Sequence, residues 1–305
     1  MGSFILRRAF HGLIAMVALI VLVFVLSRLT GDPASLYLPE NASAAEIDNF
    51  RTLHGLNDPV LVQFIHYLGD MTHLDFGMSI RRNVPAMDAV LQAFPWTLRL
   101  VAITVVLAMT VAMTMGPLAA YRVGSGFDRV VSVLALAAAS IPDFWLAIVC
   151  ILVFAVRLRW VPTSGIGGPI YWVLPVAVLM FKITGTVTQV VRGSMITTLS
   201  APYIKAARGK GMPERRVVFV HALRNSVISA VTVAGDQTRG LINGAVVVET
   251  VFGWPGIGKL MIDAILQRDF AVVQAAVVVA AVAIFLLNVV LDLSYALLDA
   301  RIGLN

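Results

Sequence analysis

The sequence predicts an all-α polytopic membrane protein with six transmembrane helices, both termini in the cytoplasm and a small extracytoplasmic segment between the first and second spans. Composition is the first observation behind this fold class: 59% of the 305 residues are apolar and only 13% are charged, whereas a soluble domain averages about 25% charged residues. The second observation is the presence of six long apolar runs, because a helix needs roughly 20 mostly apolar residues to cross a bilayer. The third observation is the placement of lysine and arginine, which predicts the orientation of the chain in the membrane.

The first apolar run follows a pair of arginines and covers about Ala9–Ser27. It exceeds the roughly 7–15 residues of a signal-peptide core, so we expect it to be a retained first span. The next segment, Arg28–Pro95, is polar and contains Gly-Asp-Pro and Asn-Asp-Pro turn signals. We expect it to form the extracytoplasmic segment, with short helices near Ala44–Leu53 and Val60–Met71.

Five further apolar runs supply the remaining candidate spans. They cover about Thr97–Tyr121, Val130–Val156, Ile170–Val191, Ser226–Phe252 and Ala271–Leu291. Tryptophans near the proposed outer ends of these spans fit an interfacial aromatic belt. The tryptophans concerned are Trp96, Trp160, Trp172 and Trp254.

The basic residues fall on one side of this arrangement. If the N-terminus is cytoplasmic, the inner loops and both tails are rich in Lys and Arg, while the outer Arg28–Pro95 segment is rich in acids. The positive-inside rule therefore places both termini in the cytoplasm. It also explains the net charge of +6 without a nucleic-acid partner.

The loop of residues 192–225 is the one long cytoplasmic loop. A Ser-Ala-Pro start predicts a short helix over Pro202–Arg208, since proline suits the first helical position. Gly209 and Gly211 would then end it, and a second helix would begin near Pro213. Two basic helices around glycines suggest a docking element for a cytoplasmic partner. A solvated loop whose charges only enforce topology is the alternative.

Polar side chains inside the apolar runs form a second candidate site. Asp236 and Arg239 are i, i+3 neighbours on the fifth run and can pair. A charge near the bilayer centre costs at least about 2.5–3.5 kcal/mol, so it normally faces a partner or a water-filled path. Salt bridges that fix helix packing and a translocation path both remain open as interpretations. The candidate path residues are Asp143, Lys182, Thr232, Asp236, Arg239 and Asn243.

The run GWPGIGKL, Gly253–Leu260, has the G-x-x-x-x-G-K spacing of a phosphate-binding loop. However, Leu260 stands where that loop needs Ser or Thr for Mg²⁺, and Pro255 lacks a donor N–H. The topology also places the run on the outer side. We therefore expect no nucleotide here, only a turn-rich loop that shapes the outer face.

Catalytic motifs are missing from the sequence. It contains no H-E-x-x-H and no G-x-S-x-G, its five histidines are scattered, and Cys150 is its single cysteine. We expect a non-catalytic chain that binds neither a cofactor nor a metal.

The cytoplasmic loop resembles the EAA loop in the membrane subunits of bacterial ABC importers. That pattern is E-A-A, three residues, Gly, nine residues, then I-x-L-P, and it matches Ala206, Ala207, Gly211 and Leu223. Three positions depart from it, since Lys205, His221 and Arg224 replace Glu, Ile and Pro. The departures resemble the first permease of the dipeptide/oligopeptide/nickel branch, which has HALRN here.

Further segments resemble the same permease, a binding-protein-dependent inner membrane component with the type I ABC importer fold. They are GDPA (31–34), GLNDPVLVQFIHYLG (55–69), HLDFGMSI (73–80), FPWTLRL (94–100), VVVETVFGWPGIGKL (246–260) and LDLSYALLDARI (291–302). The resemblance therefore covers most of the chain.

The resemblance implies a set of partners in the bacterial cytoplasmic (inner) membrane. These are a second, similar permease, two cytoplasmic ATPase subunits that use ATP and Mg, and an extracytoplasmic substrate-binding protein. The short helix of the loop would be the coupling helix that sits in a groove on one ATPase. The residues assigned to this coupling are Tyr203, Lys205, Ala206, Ala207, Arg208, Lys210, Gly211 and Met212.

Di- and oligopeptides are the substrates that the resemblance favours. Nickel complexes, glutathione and opines are alternatives within the branch. A proton-driven secondary transporter acting through Asp143 or Asp236 is a more distant alternative. We expect residues 1–93 to form the first helix and the extracytoplasmic segment, and residues 94–305 to form the permease core with its coupling loop at 192–225.

Overall fold

Helices account for almost all of the regular structure of this protein. The computed structural model describes residues 2–29, 38, 42–53 and 55–298, and these ranges contain no β-strand beyond an isolated bridge between Met78 and Pro85. The all-α prediction is confirmed for them. The helices are α1 Gly2–Leu29, α2 Ala44–Leu53, α3 Val60–Thr72, α4 Ala86–Tyr121, α5 Gly126–Ser140, α6 Asp143–Arg157, α7 Pro169–Leu199, α8 Pro202–Gly209, α9 Glu214–Ala222, α10 Leu223–Val251, α11 Ile257–Leu266 and α12 Phe270–Leu298.

Three helices in the described ranges are long and apolar enough to cross a membrane, namely α4, α7 and α12. Two bent pairs, α5 with α6 and α9 with α10, raise the number to five if each pair counts as one span. In α1 the apolar stretch Ile14–Arg28 is shorter. The number of six spans therefore stays a prediction.

The run Val130–Val156, predicted as one candidate span, is divided into two helices. α5 ends at Ser140, α6 begins at Asp143, and their axes meet at 107°. Pro142 causes the break, because a residue before proline is pushed out of the helical region. Ile141 is accordingly extended, with φ −79° and ψ 128°.

The helices divide into two compact units, and the first comprises Met1–Pro95 with Lys259–Leu286. The two short helices predicted in its polar segment are confirmed as α2 and α3. A capping box starts α2: Glu46 accepts hydrogen bonds from the Ser43 hydroxyl at 2.8 Å and the Ser43 N–H at 2.7 Å. These bonds lower the pKa of the Glu46 carboxyl.

Aromatic packing and a buried hydrogen bond stabilise this first unit. Phe24 of α1 packs edge-on against Phe64 of α3, with ring centroids 5.1 Å apart. The hydroxyl of Ser79 donates to Asp269 at 2.5 Å, and both side chains are buried. Asp269 precedes α12, so this bond ties the loop before α4 to the start of α12.

The second unit comprises Trp96–Gly258 and the end of α12 from Leu287. Within it α7 packs against α5, α6 and α10. Close approach of α5 and α7 requires glycine, because a Cβ on Gly185 would lie 2.5 Å from the carbonyl oxygen of Ala135. Buried aliphatic residues such as Leu179, Val187 and Val191 make α7 part of the core of this unit.

Candidate functional site

Helix α8 begins at a proline and ends before a glycine whose backbone conformation terminates the helix. Pro202 occupies its first turn, where no intrahelical N–H is needed. The helix ends at Gly209, and Gly211 then adopts a φ of +76°, a conformation that favours glycine. The Gly211 N–H donates to the carbonyl oxygen of Arg208 at 2.9 Å. The predicted helix over Pro202–Arg208 is thus confirmed to within one residue.

α8 has one buried and one exposed face. Ile204 is fully buried, and Met212 beyond the helix packs against the core of the second unit. The predicted coupling residues Tyr203, Lys205, Ala206, Arg208, Lys210 and Gly211 are exposed, whereas Ala207 and Met212 are half-buried. The exposed face is therefore basic with one aromatic ring. Sequence reasoning overlooked the anchor Ile204, whose signal is only its apolar character in a polar segment.

A salt bridge closes the turn between α8 and α9. Arg208 Nε lies 2.8 Å from Glu214 Oε1, and Nη2 lies 3.3 Å from Oε2. Both side chains are more than a third exposed, so the pair contributes at most about 1 kcal/mol to stability. Its main effect is geometric, because the paired groups hold the two helices around Gly211.

A second ion pair lies between α5 and the last turns of α7. Arg192 Nε is 2.5 Å from Asp128 Oδ1, and Nη2 is 2.9 Å from Oδ2. The buried Asp128 carboxylate also accepts the N–H of Gly124 at 2.9 Å. Sequence reasoning counted Arg192 only as a basic residue of the loop, since its partner lies 64 residues away. The pair fixes the end of α7, from which the chain leads into α8.

One face of α10 is polar and exposed. Ser229, Thr232 and Asp236 lie on it, and the side chain of Asp236 is 79% exposed. Arg239 Nη1 lies 3.8 Å from Asp236 Oδ1, which confirms the predicted i, i+3 pairing. The side chain of Asn243 lies outside the described residues. The opposite face is buried and consists of Ala230, Ala234, Leu241, Ala245 and Val248.

Asp143 of α6 and Lys182 of α7 are predicted path residues on two helices that pack against each other. Asp143 is the first residue of α6, where the positive end of a helix favours a carboxylate. Lys182 is near enough to act on it electrostatically. α10 also reaches this point, because a Cβ on Gly244 would lie 3.3 Å from Asp143 Oδ2. The structure thus places Lys182 within electrostatic range of Asp143 without a salt bridge between these two described residues, whereas Asp236 and Arg239 form one.

Glu249, fully buried at the end of α10, organises the glycine-rich loop. The Thr97 hydroxyl donates to its Oε1 at 2.5 Å, and the Gly258 N–H donates to its Oε2 at 2.8 Å. The Ile257 N–H in turn donates to the Thr97 hydroxyl at 2.9 Å. These N–H groups belong to the first turn of α11, which attracts anions. The loop therefore binds a carboxylate of its own chain, in the way a phosphate-binding loop binds a phosphate.

The glycines of this loop are needed for close approach. A Cβ on Gly256 would lie 2.1 Å from Glu249 Oε1, and a Cβ on Gly258 would lie 2.6 Å from the Cα of Val246. The turn-rich loop predicted here is only partly correct, since residues 257–266 form the helix α11. Sequence reasoning assigned no role to Glu249, although an acid at the end of an apolar run just before a glycine-rich turn was the available signal.

The predicted aromatic belt is wrong for Trp254. This residue is fully buried, and its ring centroid lies 4.5 Å from that of Trp172 and 5.8 Å from that of Trp96. Its Nε1–H donates to the Trp96 carbonyl oxygen at 3.3 Å. The three rings form a packed cluster beside the Glu249 network, whereas Trp160 is 64% exposed.

Comparison with known families matches both parts of the chain. Residues 108–304 match the family described as binding-protein-dependent transport system inner membrane component. Residues 1–101 match the corresponding N-terminal family of membrane components.

Individual relatives match the chain from end to end. It is 34% identical to the oligopeptide transport system permease protein AppB of Bacillus subtilis, with 99% of each chain covered. It is also 34% identical to a putative peptide transport system permease protein of Brucella abortus, and 35% identical to a probable peptide ABC transporter permease protein of Sinorhizobium fredii, again over 99% of each chain. Together with its apolar helices, these matches indicate a multi-pass protein of the inner membrane. The chain therefore belongs to the binding-protein-dependent transport system inner membrane components, the permease family of ABC importers.

Proposed function

We propose that this permease imports di- or oligopeptides as part of an ATP-driven ABC importer. The observation that carries the proposal is its end-to-end similarity to peptide permeases, at 34–35% identity over 99% of each chain. Acidic and basic side chains on α6, α7 and α10 suit a zwitterionic peptide. The same similarity favours peptides over nickel complexes, glutathione or opines.

The proposed topology has six spans with both termini in the cytoplasm. Support comes from the three to five apolar helices and from the basic character of the loops on the proposed inner side. Residues 1–93 would then supply the first span and the outer segment, and residues 94–305 the permease core.

Helix α8 is the proposed contact with a cytoplasmic ATPase. Its exposed Tyr203 and Lys205 would dock in a groove on the ATPase, while Ile204 transmits the movement to the core. Closure of two ATPases on ATP would then change access to the path. In this scheme ATP and Mg are bound by the ATPases. The permease itself would bind no cofactor and catalyse no reaction. The Gly258 N–H of its glycine-rich loop donates to Glu249 rather than to a nucleotide phosphate.

The polar face of α10 is proposed to line half of the translocation path. Asp236 and Thr232 are exposed on a helix whose other face is apolar and buried. A charge in a membrane needs a water-filled path or a partner, and the second permease would complete that path. An extracytoplasmic binding protein would deliver the peptide to it.

Substitution of Gly211 tests the coupling role. Proline requires a φ near about −65° and has no N–H, whereas Gly211 has a φ of +76° and donates to Arg208. In proteoliposomes that contain the complete importer, Gly211→Pro should abolish ATP-dependent uptake of a labelled dipeptide while membrane insertion stays normal. Ala207→Asp should have the same effect. The control is Gly209→Ala, which has open space around it and should transport normally.

Two results would contradict parts of this proposal. Normal uptake by correctly inserted Gly211→Pro would show that α8 does not couple the ATPase to transport. If the wild-type importer instead transports nickel complexes or glutathione but no peptide, the substrate class is wrong and the importer assignment stands.

A further inference from the structure

Helix α3 packs against the last turns of the first apolar run. The centroids of its Phe64 and Tyr67 rings lie 5.1 and 5.5 Å from that of Phe24 in α1, and Phe24 is almost fully buried. The apolar run ends near Ser27, so at 1.5 Å per residue Phe24 lies about 4.5 Å inside that end. In the proposed topology this end is the outer boundary of the membrane, which places this part of α3 at the depth of the lipid headgroups.

An exposed apolar sector of α3 lies beside the residues that contact α1. A helix turns by about 100° per residue, so Leu61, Ile65 and Leu68 share one face. Leu61 is 71% exposed and Ile65 is 59% exposed, and the neighbouring Val62 extends the exposed surface. These four residues form the apolar sector. Contiguous exposed apolar side chains mark a surface that contacts a protein or a membrane.

Polar side chains occupy the other side of α3. His66 and Asp70 are exposed i, i+4 neighbours, and helical geometry places them about 140° from the apolar sector. Gln63 lies between them and the α1 contact, and its Nε2 donates to the carbonyl oxygens of Leu56 and Asp58 at 3.0 and 2.8 Å. α3 is thus held on one side by protein and is apolar and polar on its two free sides. This is the pattern of a helix that lies in the plane of a membrane interface.

The charges around α3 show which force would attach it to lipid. Asp58 precedes the helix, Asp70 is on it and Asp75 follows it, whereas residues 52–80 contain no Lys or Arg. Anionic headgroups therefore gain nothing from this surface, and the burial of apolar side chains is the attractive term.

We propose that α3 lies on the outer surface of the phospholipid bilayer, with its apolar sector among the upper acyl chains and His66 and Asp70 in water. The inference rests on the proposed topology, because α1 sets the depth of α3. A soluble binding protein approaches from the aqueous side and would meet the polar side of the helix. The lipid contact would hold the extracytoplasmic segment against the membrane.

Spin labelling of the complete importer in phosphatidylcholine nanodiscs tests the proposal. Cys150 is the single cysteine of the chain, so single nitroxide labels can be placed at Leu61→Cys and at Ile65→Cys in a Cys150→Ala background, with cysteine-free partner subunits. Both labels should collide with oxygen far more often than with a water-soluble nickel complex, at a depth of about 5–10 Å. Addition of phosphatidylglycerol should leave this depth unchanged, because the surface has no basic residue for it.

Two further labels serve as matched controls. Asp70→Cys lies on the polar side of the same helix, and its label should collide mainly with the nickel complex. Val17→Cys lies in the middle of the first apolar run, where the native side chain is 50% exposed, and its label should report a depth of about 15 Å, near the bilayer centre. A label at Asp70→Cys that reports lipid would contradict the proposed sidedness of α3.

The outcomes separate this inference from the proposal on which it rests. Labels at Leu61→Cys and Ile65→Cys that collide with the nickel complex, or with neither reagent, would overturn it, because α3 would then face water or another protein. Protection that appears only when the binding protein is added would assign the sector to that protein. If the label at Val17→Cys also reports water, α1 is not a span, and the proposed topology and this inference both fail. If Val17→Cys reports the bilayer and the labels on the apolar sector do not, the inference alone fails.

Discussion

A glycine-rich loop followed by a helix can bind an anion at the N–H groups of the first helical turn. In this protein the Glu249 carboxylate occupies that anion position. Two backbone N–H groups in the first turn of α11 are satisfied, one by Glu249 directly and one through the Thr97 hydroxyl. The Glu249 carboxylate, from the same chain, therefore stabilises both the glycine-rich loop and the first turn of α11. The resemblance of GWPGIGKL to a phosphate-binding loop has a physical basis, since both arrangements neutralise an anion with helix N–H groups.

Glu249→Gln should destabilise the second unit. An amide has one acceptor oxygen, whereas both carboxylate oxygens of Glu249 accept hydrogen bonds, from Thr97 and from Gly258. One donor would then face an NH₂ group, at a cost of about 1–3 kcal/mol for a buried unsatisfied group. Thermal unfolding of the purified permease in detergent measures the change. Thr250→Val, at the exposed neighbouring position, is the control and should unfold near the wild-type temperature. An unchanged unfolding temperature for Glu249→Gln would show that the network contributes little.

At the residue scale the sequence revealed local pairs but not distant ones. The Asp236–Arg239 pair follows from helical spacing alone. Glu249 and Thr97 are 152 residues apart, and Asp128 and Arg192 are 64 apart, so only the packing of the helices makes partners of them. The buried position of Trp254 was missed for the same reason, because tryptophan at the end of a span suits both an interface and a core.

At the scale of elements, the predictions were best where a capping residue or glycine marks an end. Short helices in the polar segment and in the basic loop were predicted to within about a residue, because Ser43, Pro202 and Gly211 define their ends. The apolar runs predicted the ends of the long helices less accurately than these residues predicted the ends of the short ones. α4 begins at Ala86 rather than near Thr97, since its first turns belong to the polar segment. The bend at Pro142 could have been predicted from the proline itself.

Packing of α5 against α7 provides a prediction at this scale. In Gly185→Ala the new methyl would lie 2.5 Å from the Ala135 carbonyl oxygen and 2.8 Å from the Ala138 Cβ. Neither atom belongs to a flexible side chain, so the helices must separate, at a cost typical of overpacking of about 1–3 kcal/mol. The unfolding temperature of the purified permease should fall.

Gly193→Ala on the same helix is the matched comparison. Nothing lies within 4 Å of a Cβ there, and alanine is favoured over glycine in a helix interior by up to about 1 kcal/mol. The unfolding temperature should stay the same or rise. If both variants unfold alike, close packing at Gly185 does not limit the stability of the α5–α7 pair.

At the scale of the whole molecule, composition and charge placement indicated a helical membrane protein, and the family resemblance was confirmed by the comparisons. The fold class and the family resemblance depend on composition, charge placement and motifs spread over the whole chain. An error in the bounds of one helix therefore does not affect either conclusion. The candidate path is different. Its residues come from three helices, α6, α7 and α10, and the path is completed only by the second permease that is proposed to face α10.

Substitution of Asp236 distinguishes a role of this carboxylate in transport from a role in helix packing. Its side chain is 79% exposed, so Asp236→Ala should leave the unfolding temperature of the permease and its co-purification with the partner subunits unchanged. If the carboxylate lines the path, dipeptide uptake by the reconstituted importer should fall about tenfold, the effect of losing roughly 1.4 kcal/mol of interaction with the moving substrate. The control is Asp263→Ala on α11, which also removes an acid paired with a basic residue of its own helix, Lys259, but lies outside the candidate path. A specific loss of uptake in Asp236→Ala would place this carboxylate in the path. Equal uptake by both variants at equal assembly would make the Asp236–Arg239 pair a packing contact, and the search for the path would move to Asp143 and Lys182.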